Sequence, residues 1–313
     1  MKLDKVDKKL LSYLYHNYRE PLTEIAKVCK VSRDQVEYRV NKYEREGLIK
    51  KYLTIFNYNI LGYKEIVIVY LKLNGNDREK IREELEEMCE IITYGDVVCE
   101  YDIFFDAIYK DRYDFEKKFN TFVGKYKLDY SIMQTTQTLF FPLKCFENNK
   151  EEDSYEIVPN ATISLTDKDL NLLKIIEENG REKIINIAKK SGLSSELIVY
   201  KLKQFHKNKI ILGSRIQFDM ESQGFYFAVL RLKLNFNSEI FTKIKTFCKN
   251  HKHINALSFG ISDSYNCIIQ IFYEDEKTLR ETINQIKNKL DNCYSKSQLL
   301  MIEKESKANT LPF

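Results

Sequence analysis

The sequence predicts an α+β protein made of two tandem units, each a winged helix-turn-helix followed by a ferredoxin-like (β-α-β-β-α-β) domain. Three observations carry this. The chain repeats against itself at a shift of 162 positions: Leu10, Leu11, Leu14, Asn17, Arg19, Ile25 and Ala26 face Leu172, Leu173, Ile176, Asn179, Arg181, Ile187 and Ala188. The register runs on without a gap through Val36, Tyr38 and Val40 against Ile198, Tyr200 and Leu202, and reaches Gly62 against Gly224. A period near half of the 313 residues means one two-domain unit used twice, because solenoid repeats are far shorter. Each repeat opens with three helical periodicities and continues with alternating strand and helix patterns.

In the first unit Leu3-Asp4-x-x-Asp7 opens helix 1, with Asp4 as N-cap and Asp7 in the first turn, where a carboxylate suits the helix dipole. Thr166-x-x-Asp169 is the same device in the second unit. Leu10, Leu11 and Leu14 form an apolar helical face. A short helix follows Pro21, from about Thr23 to Cys29, in which Ala26 is small enough to let the next helix approach. Cys29-Lys30-Val31 is the turn and Ser32 caps helix 3. That helix runs to about Glu46 around Val36, Val40 and Tyr43 until Gly47 ends it. In the second unit Gly192 takes the turn, where a left-handed backbone costs little. Leu48 to Tyr58 reads as a two-stranded wing.

Beyond Gly62 the pattern is strand (Glu65 to Leu73), helix (Asp77 to Cys89), a strand pair (Ile91 to Cys99, Asp102 to Tyr109), helix (Tyr113 to Lys125) and strand (Ser131 to Phe140). Residues 226–305 repeat that order, which places a sheet on one side and helices on the other. The expected domains are therefore 1–60, 61–146, a charge- and Asn-rich linker at 147–162, 163–222 and 223–313. The two ferredoxin-like domains, 61–146 and 223–313, are expected to pair through their sheets within one chain or within a dimer of chains, with a homodimer or higher oligomer beyond that.

Hydrophobic content of 43% with 31% charged residues describes a soluble globular protein. The best apolar run, Ile66 to Leu73, is strand-sized, so no spanning helix and no membrane partner are expected. Charges interleave the N-terminal MKLDKVDKKLL, so it carries no signal peptide pattern, and the expected location is cytoplasmic and nucleoid-associated. Seven cysteines never fall as C-x-x-C, which suits buried free thiols in a reducing compartment. Net charge is only +4, but residues 1–55 carry 13 Lys/Arg against 8 Asp/Glu and residues 160–218 carry 11 against 6, so each helical segment is +5. A nucleic-acid reader concentrates cations where it meets phosphates and need not be basic elsewhere.

The ordered motifs resemble a known family. Leu3-Asp4 with Asp7, Ile25-Ala26, Ser32 to Val40, Glu44 to Ile49 and Leu61-Gly62-Tyr63 are similar to the pattern of the Lrp/AsnC (leucine-responsive, feast/famine) transcriptional regulators, in the tandem archaeal form. The resemblance covers nearly the whole chain twice, more strongly in the first unit. It implies a sequence-specific, double-stranded DNA-binding regulator whose helix 3 lies in the major groove. With Val36 and Val40 facing inward, Ser32, Arg33, Gln35, Tyr38, Arg39 and Lys42 face outward, and Lys50 and Lys51 stand on the wing. Arg pairs with guanine and Gln with adenine, while Ser, Tyr and Lys hold phosphates. The second helix 3 offers Ser195, Tyr200, Lys201 and Lys203, with Leu197 in place of Gln35.

The resemblance also implies a small-molecule effector, often an amino acid, bound near a turn between the middle strands. That turn reads Cys99-Glu100-Tyr101-Asp102 in the first unit and Asp263-Ser264-Tyr265-Asn266 in the second, both without the family's glycine. No cofactor is expected and no enzyme motif stands out: G-x-x-x-x-G-K-[ST], G-x-G-x-x-G and G-x-S-x-G are all missing. His16, His206, His251 and His253 lack partners at metal-ligand spacing and read as exposed helix-end side chains. Two alternatives stand beside the regulator. One is an enzyme like the siroheme decarboxylases, which share this architecture. Tyr265-Asn266 echoes their Tyr-Asn strand, but Asp263-Ser264 stand where their motif places a histidine. The other is an architectural, nucleoid-type protein that grips DNA with little sequence preference.

Overall fold

The computed structural model describes residues 2–146, 155–157, 163–235, 237–291, 293–306 and 309–312; most of the expected linker, 147–162, lies outside the described residues. Contacts divide the chain into two bodies, one of Met1–Asn57, Pro142–Tyr155 and Ile163–Phe225, the other of Tyr58–Phe141, Glu156–Thr162 and Tyr226–Phe313. Like is grouped with like: the two three-helix segments share one body and the two strand-rich segments share the other.

In the helical body α1 (Lys5–Asn17), α2 (Leu22–Cys29) and α3 (Arg33–Arg45) are repeated as α6 (Asp167–Glu178), α7 (Ile184–Ser191) and α8 (Ser195–Lys207). Asp4 and Asp7 close a capping box on α1, and Thr166 and Asp169 close the same box on α6. The turn before α3 puts Lys30 at φ 58°, and the turn before α8 puts Gly192 at φ 68°. Leu10, Leu11, Leu14, Ile25, Val36 and Val40 are buried at the centre of the first three helices; Leu172, Leu173, Ile176, Ile187 and Ile198 are buried in the second set.

The expected two-stranded wing within Leu48–Tyr58 is corrected by the structure. That stretch forms a single strand, β1 (Ile49–Phe56), which pairs antiparallel with β7 (Ile211–Phe218) from the other repeat. A lone strand leaves backbone groups unsatisfied, and here each repeat satisfies the other. The register is centred on Leu53 opposite Arg215, residues that are equivalent in the repeat, with Tyr52 opposite Ile216 and Thr54 opposite Ser214 on either side. The strand register is therefore symmetric about this pair under the shift of 162.

The other body runs β2 (Glu65–Lys72), α4 (Arg78–Glu87), β3 (Ile91–Val98), β4 (Ile103–Tyr109), α5 (Arg112–Tyr126) and β5 (Asp129–Phe140). After the short β6 (Tyr155–Ile157) it continues β8 (Tyr226–Leu234), α9 (Ser238–Asn250), β9 (Ile254–Ile261), β10 (Cys267–Tyr273), α10 (Glu276–Leu290) and β11 (Tyr294–Ser306). The strand order β2-β4-β3-β11-β8-β10-β9-β5 returns to β2 and closes an eight-stranded barrel, with β6 alongside β5. The two halves thus join edge to edge, β3 to β11 and β5 to β9, which removes the four open edges that separate sheets would leave.

Alternation decides what fills each side. On β2, Val67, Val69 and Leu71 pack with Ile81 and Leu85 of α4 and Phe115 and Phe119 of α5, whereas Ile68 and Tyr70 turn the other way to join Phe104, Met133, Val229, Ile268 and Leu300 inside the barrel. None of the seven cysteines is in a disulfide; Cys89 and Cys99 are exposed and Cys293 is half-buried, which corrects the expectation of buried thiols at those three positions. No helix among the described residues is long and apolar enough to cross a membrane.

Candidate nucleic-acid interface

Ser32 caps α3, its hydroxyl accepting from the Gln35 N–H while the Gln35 carbonyl oxygen accepts from the Ser32 N–H, each at 3.1 Å. The capping box therefore engages the oxygen of Gln35 and leaves its amide NH2 outward. Arg33 is exposed and rests against Asp34 and Glu37, both at 3.2 Å, on pairs that solvent screens. Tyr38 is 65% exposed, and Lys42 lies partly exposed one turn further on. On α8, Tyr200 is 59% exposed, Leu197 and Val199 are exposed beside it, and Lys203 faces solvent while Ser195 is half-buried.

Arg39 is placed differently from the outward position expected of it. Its Nη2 lies 3.0 Å from Asp4, its Nη1 binds Asp7, and the Tyr43 hydroxyl donates to the same Asp7 oxygen at 2.6 Å. Burial alone would lower the Arg39 pKa, but its hydrogen bonds to Asp4 and Asp7 carry it well above the ordinary arginine value. Burial and Asp7 likewise push Tyr43 upward. The equivalent residue of the second unit, Lys201, binds Asp169 at 2.5 Å. α3 and α8 are thus each fastened by a cation to the first turn of the helix that opens their own segment. The signal was present in the sequence, since Asp7 and Asp169 also stand at equivalent positions; it was read only as helix capping.

On the shared strand Lys50 pairs with Asp219 at 3.5 Å with its side chain half exposed, and Lys51 donates to Glu177 at 2.9 Å. Lys50 remains the freer of the two. His16 is buried with Nδ1 3.0 Å from the Ser214 carbonyl oxygen, and the His253 Nδ1 lies 3.1 Å from the Phe272 carbonyl oxygen. These two are packed side chains and not the exposed helix-end histidines expected. Among the described residues no cluster of three or more His, Cys, Asp or Glu could hold a metal ion.

The two turns singled out in the barrel body converge through a residue that sequence reasoning missed. Arg231 on β8 is fully buried and faces the barrel interior, with Nη1 2.9 Å from Gln298 and Nη2 2.5 Å from Ser131. Its guanidinium lies 4.3 Å from the Tyr70 ring, 4.4 Å from Tyr265 and 5.5 Å from Tyr101, and Nε has no hydrogen-bond partner. Glu100 accepts from Gln298. Asp102 accepts from the Leu73 N–H at 2.8 Å and pairs with Arg78 at 3.1 Å, while Asn266 bonds both backbone groups of Leu234. Cys99 takes φ 129°, a backbone that favours glycine, at the position where the resemblance places one. Asp263 and Ser264 shape the second turn, where Ser264 N–H approaches Ser262 Oγ at 3.3 Å. A charge in the middle of the apolar run Phe227 to Leu234 was the available clue to Arg231.

A capped recognition helix, fastened from behind and presenting a polar and aromatic face, defines a winged helix-turn-helix DNA-binding protein; the winged helix-turn-helix DNA-binding family matches residues 3–50. The chain is 30% identical over 117 residues to an HTH-type transcriptional regulator of Pyrococcus horikoshii, an alignment covering 37% of this chain and 79% of that protein. It is 31% identical over 117 residues to another from Pyrococcus furiosus, with the same coverage of 37% and 79%. The chain belongs to the HTH-type transcriptional regulators. In fold it is similar to the siroheme decarboxylase NirDL in co-complex with an iron-uroporphyrin III analogue, with a TM-score of 0.65, 13% identity, and coverage of 99% of this chain and 94% of that one.

Proposed function

We propose that this regulator is a tandem Lrp/AsnC-type protein, two winged helix-turn-helix and ferredoxin-like units in one chain, that reads a specific double-stranded DNA sequence. The observation that carries the reading is the β1–β7 register centred on Leu53 and Arg215, which joins the strand that follows α3 to the strand that follows α8 at equivalent residues of the repeat. Paired helix-turn-helix readers contact half-sites about one helical turn, or a multiple of it, apart. Arg33, Gln35 and Tyr38, with Lys42 and Lys50 behind them, are the contact residues of the first reader. Ser195, Tyr200 and Lys203 are those of the second, which has fewer base-capable groups. Arg39 and Lys201 position their helices. The operator is accordingly a pseudo-palindrome read more stringently in one half. A competition titration of the full chain at fixed salt tests this: Arg33→Ala should relax preference in one half-site, whereas Lys50→Ala should weaken all sequences alike. Equal affinity for operator and random DNA would replace this reading with an architectural one.

The barrel end around Arg231 supports an effector role, because a guanidinium ringed by Tyr70, Tyr101 and Tyr265 suits a small carboxylate such as that of an amino acid. The same buried cation, on a fold that a siroheme decarboxylase shares, favours a second, enzymatic reading. Anaerobic incubation with siroheme and mass analysis of the tetrapyrrole separates the two. Loss of carbon dioxide from the tetrapyrrole would establish the enzyme.

A further inference from the structure

The repeat provides an internal comparison inside the helical body. In one half Arg181 lies 3.5 Å from Glu44 and 3.1 Å from the Tyr52 hydroxyl, with its guanidinium 5.4 Å from the Tyr52 ring centre. The Tyr52 hydroxyl in turn donates to Glu44 at 2.6 Å. An arginine, a carboxylate and an aromatic ring fill that place.

At the shift of 162 the same three positions in the other half are Arg19, His206 and Ser214. The carboxylate has become an imidazole and the phenol a hydroxymethyl. What remains is a cavity of about 290 Å³, walled by Ile176, Leu202, Ile211 and Leu212 and reached by Arg19, Thr54 and His206. Arg19 Nη2 and Thr54 Oγ are buried there without a hydrogen bond of good geometry; the nearby Tyr18 hydroxyl interacts with both but donates to the Leu53 carbonyl oxygen at 2.9 Å. The carboxylates nearest this arginine are already committed. Glu20 accepts from the Tyr13 hydroxyl at 2.6 Å, and Glu182 is held by Asn186 at 2.7 Å and Lys190 at 3.4 Å. Burial, and then the neighbouring Arg19, hold the His206 pKa below the ordinary histidine value.

We propose that this cavity binds a small carboxylate with a short apolar tail, its anionic head taking beside Arg19 the place that the Glu44 carboxylate takes beside Arg181. The head accepts from Arg19 and from the Thr54 hydroxyl, which satisfies both orphaned donors, and the tail lies on the four aliphatic side chains. Inorganic phosphate supplies the charge without the tail, and a branched alcohol supplies the tail without the charge. The site is separate from the barrel end and does not depend on DNA reading, because it is measured without DNA.

The test is calorimetric titration of the full chain with isovalerate, acetate, phosphate and 3-methylbutanol. Isovalerate should bind with a millimolar or tighter Kd and outcompete the other three. Arg19→Gln should weaken it at least about tenfold, the loss expected for one charge-assisted hydrogen bond. His206→Glu keeps the arginine and supplies a resident carboxylate from the same chain, so it should abolish isovalerate binding while raising Tm. That variant keeps the question open to decision if Arg19→Gln fails to fold. Absence of isovalerate binding, a preference for phosphate, or affinity that survives His206→Glu would each overturn the proposal.

Discussion

Replacing Arg39 separates a positioning residue from a base reader. Arg39 joins α3 to α1 through two carboxylates, and its side chain is 23% exposed against 10% for Asp7 and 55% for Asp4. The Asp4 arm is screened by solvent and contributes little. The Asp7 arm carries the loss, because Arg39→Met leaves a largely buried carboxylate with only the Tyr43 hydroxyl and a backbone N–H to compensate it. Breaking one side of a fully buried pair costs about 3–5 kcal/mol, and a charge-assisted hydrogen bond contributes about 1.5–3 kcal/mol. With Asp7 retaining some solvent, a loss of about 2–3 kcal/mol is expected. Urea unfolding followed by helical circular dichroism reads this as a midpoint lowered by roughly 1–2 M, for a slope near 1–3 kcal/mol/M. In a DNA titration held well below that midpoint, Arg39→Met should weaken operator and random DNA to a similar degree. An unchanged urea midpoint combined with selective loss of operator affinity would show that Arg39 swings outward to read a base, and would refute the positioning role.

Asp106 shares the inner face of β4 with Phe104, where burial and then Glu305 push its pKa up to about 7. Its folded value is above the ordinary 3.9, so its contribution to stability is complete below about pH 4 and is lost as pH rises through 7. Asp106→Asn should therefore flatten the stability profile between those values and leave the variant more stable than wild type at pH 8 by about 1–3 kcal/mol; equal profiles would place Asp106 in water. A Cβ on Gly180 would meet the Tyr18 hydroxyl and the Tyr52 carbonyl oxygen, the latter at 2.7 Å, so Gly180→Ala should cost about 2 kcal/mol or more in thermal unfolding, whereas Gly124→Ala, exposed on α5 with open space at its Cβ, should add about 0.5–1 kcal/mol. Lys30 holds a left-handed backbone at φ 58°, and Lys30→Gly should add about 0.5–1 kcal/mol of stability in the same assay.

Element identity was legible because it rests on local signals. Ser32 with Gln35, Asp4 with Asp7 and Thr166 with Asp169 are caps whose partners lie three residues away, and each forms as its spacing implies. The strands after Gly62 were legible for the same reason, since the strand-sized, β-branched apolar run of Ile66 to Leu73 is read from neighbouring residues alone. Pairing between distant strands carries no such mark. Nothing in Ile49 to Phe56 announces that its partner is Ile211 to Phe218, because a hairpin and a long-range pair use the same residues. The site divides along the same line. Ser32, Tyr38 and Tyr200 lie outward by helical geometry alone, whereas the inward turn of Arg39 depends on Asp7, 32 positions away in sequence. The role of Arg231 was not legible, beyond its being a charge within an apolar run, because its surroundings, Ser131, Gln298, Tyr70 and Tyr265, come from four separate strands and turns.

The strand pair centred on Leu53 and Arg215 has a genetic consequence. When two identical subunits meet across an axis, every mutation is written twice, so a pocket opened on one side opens on both and a weakened reader is weakened in duplicate. Fusion of the copies into one polypeptide lifts that constraint. Glu44 stands where its repeat position holds His206, and Gln35 where its repeat position holds Leu197. Each repeat is then free to drift toward a separate duty, and a ligand or a half-site recognised by one repeat is recognised once per chain.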